Sequence, residues 1–233
     1  MPKADPARIV VSENGPYLVH GRLPIAVQTI VPNAEKMSWD WREGRAFETG
    51  EEVALCRCGQ SGHKPFCDGT HEKVHFNGRA TASRAPYDEL AETFPGPAMN
   101  LRDEETLCAF ARFCDPGGKI WNLIERTDDP KVRELVIREA GHCPSGRLVV
   151  RDVGPGATHE PELPASVGIV EDPVLHVSGP LWVRGGVPVE SADGRRYEVR
   201  NRQTLCRRGA SRNKPFCDGS HASIKFRDGI PPE

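Results

Sequence analysis

The chain has 233 residues, with 31 Lys and Arg against 33 Asp and Glu, a formal net charge of -2, and 37% hydrophobic and 6% aromatic residues. That length suits one large domain or two to three small ones, and 23 Gly with 21 Pro favour short elements over long helices. The near-neutral charge argues against a general nucleic-acid or anionic-membrane binder, and no apolar run approaches the ~20 residues that cross a bilayer.

The first residues of the chain, Met1 to Asp5, lack the apolar core of a signal peptide, so we expect a soluble, cytoplasmic protein. The eight cysteines are then interpreted for a reducing compartment. Clustered cysteines in such a compartment indicate metal binding or catalysis more often than disulfides.

Short β-branched stretches broken by Gly and Pro predict strands at residues 9–11, 17–20 and 25–31. The following residues, near 32–47, contain Trp39 and Trp41. We expect these two rings to fill a local packing position and not a binding site.

Four potential metal ligands follow in the spacing C-x-C-x8-C-x3-H, namely Cys56, Cys58, Cys67 and His71. Three thiolates and one imidazole suit zinc or an iron–sulfur cluster. The C-x-C pair is tighter than the C-x2-4-C knuckles of structural zinc and suits two thiolates on one iron. Cys67 and His71 are four residues apart, share a face of a short helix and could hold a second iron.

The segment from Cys56 to His71 resembles the CDGSH iron–sulfur family, also called NEET proteins, whose pattern is C-x-C-x2-S-x3-P-x-C-D-G-[S/A/T]-H. The resemblance implies a [2Fe–2S] cluster on three Cys and one His, and a β-cap joined to a cluster-binding part in a dimer or tandem pseudo-dimer. A zinc site is the alternative. A neutral imidazole ligand raises the potential of a cluster and makes its binding pH-dependent. The matching positions are Cys56, Cys58, Ser61, Pro65, Cys67, Asp68, Gly69, Thr70 and His71.

The middle of the chain, residues 80–165, has a different pattern. The acidic run from Asp103 predicts a helix that continues toward Cys114. Asp129 and Pro130 predict the start of a second helix over residues 131–140, which Gly141 would end. Residues 148–153 predict a strand, and the Gly- and Pro-rich residues 154–164 a linker.

Three cysteines of this middle segment, Cys108, Cys114 and Cys143, resemble a divergent single-cluster ferredoxin segment that closes with C-P-S-G. Ala111 stands where a four-iron ferredoxin has a further ligand. The resemblance therefore implies a [3Fe–4S] cluster, or a [4Fe–4S] cluster with an added ligand such as His142. Buried, metal-free cysteines are the favoured alternative. One of the three could instead complete the second site described next.

The chain repeats itself: residues 205–226 match residues 55–76 at 13 of 22 positions with an offset of 150. A weaker repeat precedes each segment, so the unit is a β-rich lead-in followed by a Cys/His segment. We expect strands at residues 174–177, 181–184 and 197–205, with a hairpin turn at Asp193 and Gly194.

The second Cys/His segment retains Cys206, Cys217 and His221 but has Arg208 in place of a thiolate. A guanidinium stays protonated and cannot ligate a metal. Three alternatives follow: a cluster with water, Ser211 or a distant Cys as its fourth ligand; an empty site kept as a scaffold; or a different metal. The otherwise complete motif favours a bound cluster of reduced stability.

Residues 195–214 hold eight basic side chains against Glu198 alone. They could form a docking patch for an acidic redox partner or for nucleic acid, but a solvated strand face is favoured.

Together these patterns predict an α+β chain. Two β-rich CDGSH modules, residues 1–80 and 166–233, would form an intrachain pseudo-dimer around a small α+β ferredoxin-like segment, residues 81–165. One or two [2Fe–2S] clusters would serve electron or cluster transfer to an unidentified redox or cluster-acceptor protein, by a monomer or a homodimer. The alternative is a metal-stabilised structural module. No P-loop, G-x-S-x-G, G-x-G-x-x-G or H-E-x-x-H motif indicates an enzyme.

Overall fold

The structure, a computed structural model, describes residues 7–232 as a mixed α+β chain with three sheets and short helices. The expectation for Met1 to Asp5 lies outside the described residues. The strands are, in chain order, β1 Arg8–Val11, β2 Tyr17–His20, β3 Ile25–Pro32, β4 Ser38–Phe47, β5 Glu52–Leu55, β6 Glu92–Pro95, β7 Met99–Asp103, β8 Leu148–Asp152, β9 Thr158–His159, β10 Ser166–Asp172, β11 Val177–Arg184, β12 Val189–Ser191 and β13 Arg202–Leu205. The helices are α1 Thr70–Lys73, α2 Tyr87–Leu90, α3 Ile120–Leu123, α4 Pro130–His142 and α5 Ser220–Ser223, with 3-10 turns at Glu105–Leu107, Pro116–Gly118 and Ile124–Arg126.

The two repeated units share two of the sheets. One has the order β12-β1-β2-β5 and the other β13-β11-β10-β3-β4. The joins between the units are parallel: β1 pairs with β12, and β3 pairs with β10. Residues of both units, including Tyr17, Ile25, Leu181 and Leu205, form one buried core. Each unit therefore completes its sheets with strands of the other.

The middle segment builds its own four-stranded antiparallel sheet, in the order β6-β7-β8-β9. Met99, Leu101 and Val150 of this sheet pack against Val136 of α4. The predicted start of α4 is confirmed, because the Asp129 carboxylate accepts a hydrogen bond of 2.9 Å from the Lys131 N–H. The helix ends two residues later than predicted, at His142.

The helix predicted from Asp103 toward Cys114 is wrong. Only the 3-10 turn at Glu105–Leu107 forms, and the Glu104 side chain accepts hydrogen bonds from the Thr106 N–H and hydroxyl. Beyond it, Phe110 and Arg112 have φ angles of 53° and 62°. An α-helix cannot continue through this left-handed backbone.

Other boundaries also differ from the predictions. The strand predicted at residues 174–177 starts only at Val177, because the Asp172 carboxylate accepts hydrogen bonds from the N–H groups of residues 174 and 175 and forms a turn. The strand predicted at residues 197–205 covers only its last four residues, and the predicted linker at residues 154–164 contains β9.

The aromatic packing near residues 32–47 is confirmed for one ring. Trp41 lies on β4, with ring centroids 4.7 Å from Phe113 and 4.6 Å from Trp182. Trp39 is partly exposed and contacts Arg138. Within residues 7–232, no helix is long and apolar enough to cross a membrane.

Candidate metal centres

The first candidate centre is built by a loop that folds back along β5. The Cys56 N–H donates to the Pro65 carbonyl at 2.8 Å, and the Cys67 N–H donates to the Ala54 carbonyl at 2.8 Å. These bonds bring Cys67 beside the strand end that carries Cys56. The four ligands predicted from the sequence therefore belong to one loop and the short helix after it.

The four donors form two pairs. The Sγ atoms of Cys56 and Cys58 lie 3.8 Å apart, and Cys67 Sγ lies 3.3 Å from His71 Nδ1. Two thiolates on one tetrahedral metal with bonds of ~2.3 Å lie about 3.8 Å apart, and a thiolate and an imidazole nitrogen about 3.6 Å apart. Among residues 7–232, no group of three or more His, Cys, Asp or Glu side chains could hold a single ion. The donor set fits a group with two metal atoms, each held by one pair.

Burial raises the pKa of both Cys58 and Cys67, and the neighbouring Cys56 thiol adds to the effect. Metal binding must therefore displace protons from these thiols. Asp68 has a pKa well below its usual range, because the Thr70 side chain and the N–H groups of Gly62 and Thr70 donate hydrogen bonds to it. This carboxylate holds the ligand loop in shape.

The outer side of the first centre is open. Gly69 begins α1 with a φ of 83°, and a Cβ added there would meet no atom within 4 Å. The His71 side chain keeps 15% of its surface exposed. A partner protein can therefore approach the His71 side of this centre.

The second candidate centre has the same backbone turn. The Cys206 N–H donates to the Pro215 carbonyl and the Cys217 N–H to the Thr204 carbonyl, both at 2.9 Å. Cys217 Sγ lies 3.4 Å from His221 Nδ1, so one of the two donor pairs is repeated.

The other pair of the second centre is incomplete, because Arg208 stands at the position of the missing thiolate. Cys206, Cys217, His221 and Arg208 line one cavity, and the Arg208 guanidinium donates to the Ser220 hydroxyl. Burial, together with the charges of Arg207 and Arg208, lowers the pKa of His221 to about 4.

The two centres adjoin through their ligand loops. A Cβ added to Gly59 would lie 2.7 Å from the Arg208 carbonyl oxygen, and one added to Gly209 would lie 2.8 Å from the Cys58 carbonyl oxygen. Both glycines have positive φ angles, so the loops need residues without a side chain here. The Tyr17 hydroxyl, on β2 of the first unit, lies 2.8 Å from the carbonyl oxygen of Cys206 in the second.

Sequence reasoning missed a buried arginine next to each centre. Arg57 donates to the Ser12 carbonyl at 3.1 Å and to the Gly78 carbonyl. Arg207 donates to the Glu171 carboxylate at 2.6 Å and also pairs with Asp228. The sequence does contain a signal for these two arginines, since both copies have Arg directly after the first cysteine ligand.

The basic stretch at residues 195–214 was assigned to the surface, and for its central residues this is wrong. The Arg202 side chain is fully buried, pairs with Glu160 at 2.6 Å and donates to the Cys143 carbonyl at 2.8 Å. Arg207 is buried as well, whereas Arg195 and Arg196 are exposed. The buried arginines compensate internal carboxylates and carbonyls and form no continuous docking patch.

The three middle cysteines, Cys108, Cys114 and Cys143, line one cavity together with Ala111. Burial raises the pKa of Cys114, and the neighbouring Cys143, Asp115 and Cys108 add to the effect. Beside them, Arg147 forms a bidentate ion pair with Asp103, at 2.5 and 2.8 Å. Three cysteines that line one cavity are candidate ligands for an iron–sulfur cluster.

His142 does not join this cavity, so the suggestion that it adds a ligand is wrong. Its Nδ1 lies 2.8 Å from the Arg138 carbonyl oxygen and its Nε2 lies 3.4 Å from Asp40. Cys108 lines the middle cavity and not the second one, although its carbonyl oxygen lies against Gly219 of the second turn, so completion of the second centre by a middle cysteine stays a prediction.

The middle cysteine loop nevertheless covers the outer side of the second centre. A Cβ added to Gly219 would lie 2.9 Å from the Cys108 carbonyl oxygen and 3.1 Å from Phe110 Cβ. The Asn213 side-chain amide donates to the Thr106 carbonyl at 2.9 Å. The turn around Gly69 is therefore open in the first unit, whereas the equivalent turn around Gly219 packs against the middle segment.

Comparisons with known proteins agree with this division. A family described as iron-binding zinc finger of CDGSH type matches residues 14–72 and 178–222. A family described as divergent 4Fe–4S mono-cluster matches residues 94–153. Searches of curated proteins and of solved structures found no match. The three matched regions contain all eight cysteines, and the resemblance drawn from the sequence is confirmed.

Proposed function

We propose that this chain, in which two regions match the CDGSH-type iron-binding family and the segment between them matches a divergent mono-cluster family, carries electrons or iron–sulfur clusters. One observation supports the proposal most: the first centre divides its donors into two pairs, at 3.8 and 3.3 Å. A [2Fe–2S] cluster needs one pair for each iron, whereas a single zinc ion needs four donors around one point.

In this proposal Cys56 and Cys58 hold one iron, and Cys67 and His71 hold the other. The cluster, when bound, supplies one-electron chemistry. The chain holds the ligand loop through Asp68, which accepts hydrogen bonds from two backbone N–H groups. The chain performs no substrate chemistry of its own.

The exposed side of His71 is the proposed exit for an electron or a cluster. An imidazole ligand is neutral, so it leaves the cluster less negative than a fourth thiolate would and raises its potential. The partner is a redox protein or a cluster acceptor that docks at the open turn around Gly69. All eight cysteines are free, which agrees with a reducing, cytoplasmic location.

The middle cavity is proposed to hold a second kind of cluster. Three cysteines line it, and Ala111 offers no fourth ligand. Three cysteine ligands fit a [3Fe–4S] cluster, one for each iron. This centre would pass electrons within the chain.

The first experiment is the content of iron, zinc and acid-labile sulfide per chain, with a visible spectrum, on anaerobically purified protein. Iron and sulfide with a spectrum that bleaches on dithionite reduction are expected. The reduced protein is then mixed with cytochrome c and, separately, with an apo-ferredoxin. Iron that stays with the chain while cytochrome c is reduced supports electron transfer, and iron that moves to the apo-ferredoxin supports cluster transfer. Zinc without colour would contradict both and would leave a metal-stabilised structural module.

A further inference from the structure

The donor set of the second centre does not fit a [2Fe–2S] cluster. It offers Cys206 and the pair of Cys217 and His221, whose Sγ and Nδ1 atoms lie 3.4 Å apart. The fourth position has a guanidinium, which has five donor N–H groups and no lone pair for a metal. Among the residues that line this cavity, one iron would therefore have a single cysteine ligand.

Arg208 also reaches across the cavity that a cluster would need. It starts on the ligand loop after Cys206 and donates to the hydroxyl of Ser220, the residue before His221. Ser220 in turn donates to the Asp218 carboxylate. The side chain thus joins the two loops that a cluster joins in the first copy.

The charges around the cavity lead to the same conclusion. Arg208 and the neighbouring Arg207 are cationic, and Arg207 already has its own partners, Glu171 and Asp228. Ferric ions placed beside Arg208 would be repelled at short range in a buried site, where screening by water is weak.

The retained motif residues have a structural explanation that needs no cluster. The Asp218 carboxylate accepts hydrogen bonds from the N–H groups of residues 212 and 220, at 2.8 and 3.1 Å. The Ser211 hydroxyl donates to the Phe216 carbonyl at 2.7 Å. Asp68 and Ser61 make the equivalent contacts in the first copy. These residues form the turn itself, so their presence does not require a metal, contrary to the interpretation from sequence.

We propose that the second copy carries no iron–sulfur cluster and that Arg208 ties its two ligand loops together in place of one. The inference rests on the proposed function only where it compares the second copy with the first, which is proposed to hold a [2Fe–2S] cluster. The second copy then serves as a structural half that completes the shared sheets and supports the middle cysteine loop.

The test compares the wild-type full chain with the variants Cys206→Ser and Arg208→Cys. The contents of iron, zinc and sulfide per chain are measured, and the reduced proteins are examined by electron paramagnetic resonance. Cys206→Ser should leave all three contents and the spectrum unchanged. Arg208→Cys supplies the missing thiolate and should add about two irons and two sulfides per chain with a second [2Fe–2S] signal. The double variant should return to the wild-type content.

Two results would overturn the inference. Loss of iron, zinc or sulfide from Cys206→Ser would mean that the second centre is loaded, and this variant decides the matter even if Arg208→Cys does not fold. A folded Arg208→Cys protein without added iron would contradict the role given to Arg208. Cys58→Ser is measured in parallel: if it loses no iron, the proposed function fails, while the outcome for Cys206→Ser is judged separately.

Discussion

The two ligand turns have the same construction and opposite surroundings. Each places its Cys–His pair beside a strand end by the same two backbone hydrogen bonds, and each begins its short helix with a left-handed glycine. Around Gly69 the first turn is open, whereas around Gly219 the second is covered by Cys108 and Phe110. The motif thus determines the backbone conformation of the turn, and the neighbouring segments determine whether the turn is accessible to a partner protein.

The largest expected effect comes from giving the first centre the sequence of the second. Cys58→Arg removes a donor and adds a cation, so we expect loss of about two irons and two sulfides per chain together with the visible band. Gln60→Arg is the matched control, because it adds the same charge at an exposed position and removes no donor. A Cys58→Arg protein with wild-type iron would break the comparison between the two centres.

The next effect concerns the two buried arginines. Arg207→Met leaves the Glu171 and Asp228 carboxylates buried without their cation, and we expect a loss of about 3–5 kcal/mol in the free energy of unfolding. Arg57→Met leaves the Ser12 and Gly78 carbonyls without this donor but strands no buried carboxylate, and about 1–3 kcal/mol is expected. Urea unfolding under anaerobic conditions measures both, and equal losses would contradict the difference.

The Arg207 variant should also depend on pH. Burial raises the pKa of Glu171, and Arg207 partly opposes that shift. Without Arg207 the pKa rises further, so ionised Glu171 costs more stability above the ordinary glutamate pKa of 4.5. Stability of Arg207→Met relative to wild type should therefore fall as the pH rises from about 5 to about 8. Adding Glu171→Gln should reduce this slope, and a slope unchanged by that substitution would exclude Glu171 as its cause.

The open and covered glycines can be compared directly. An alanine in a left-handed conformation costs about 1–2 kcal/mol at either position. Gly219→Ala also brings a Cβ against the Cys108 carbonyl, 2.9 Å away, so an extra loss of about 1–3 kcal/mol is expected. Gly69→Ala is the control for backbone strain alone. Thermal unfolding of the two variants measures the difference, and identical midpoints would refute the packing contact.

The smallest effect tests the link between the copies through Tyr17. Tyr17→Phe removes the hydrogen bond to the Cys206 carbonyl and should cost about 1 kcal/mol of unfolding free energy. Tyr197→Phe is a suitable control, because the buried Tyr197 hydroxyl has no hydrogen-bond partner among residues 7–232. The same denaturation measurement serves both, and a loss at Tyr197 as large as at Tyr17 would argue against the link.

Local features of the chain could be predicted from the sequence. The strand at residues 17–20, the start of α4 at Asp129 and Pro130, and the four donors of the first centre depend on neighbouring residues only. The CDGSH motif is specific because nearly every residue in it forms the turn or faces the donors. The same locality explains why the second copy, which keeps most of the motif, predicts a cluster site from sequence although Arg208 lines its cavity.

Long-range features could not be predicted in the same way. Phe110 and Arg112 adopt left-handed backbone that nothing in their residue types requires, so the loop at residues 108–114 was mistaken for a helix. The burial of Arg202 depends on Glu160 and on the end of α4, which are distant in the chain. The parallel pairing of β3 with β10 likewise depends on the assembled core and on no local pattern.

The parallel pairing of β1 with β12, the other join between the two units, has a consequence for how the protein is made. Ile9 on β1 lies beside Val189 on β12, so this edge of the first unit stays unpaired until residue 189 has been synthesised and has left the ribosome. Until then, the cysteines of the first ligand loop lie on a unit that lacks two of its sheet neighbours. We expect assembly of the metal centre to be a late, post-translational event that follows closure of the shared sheets.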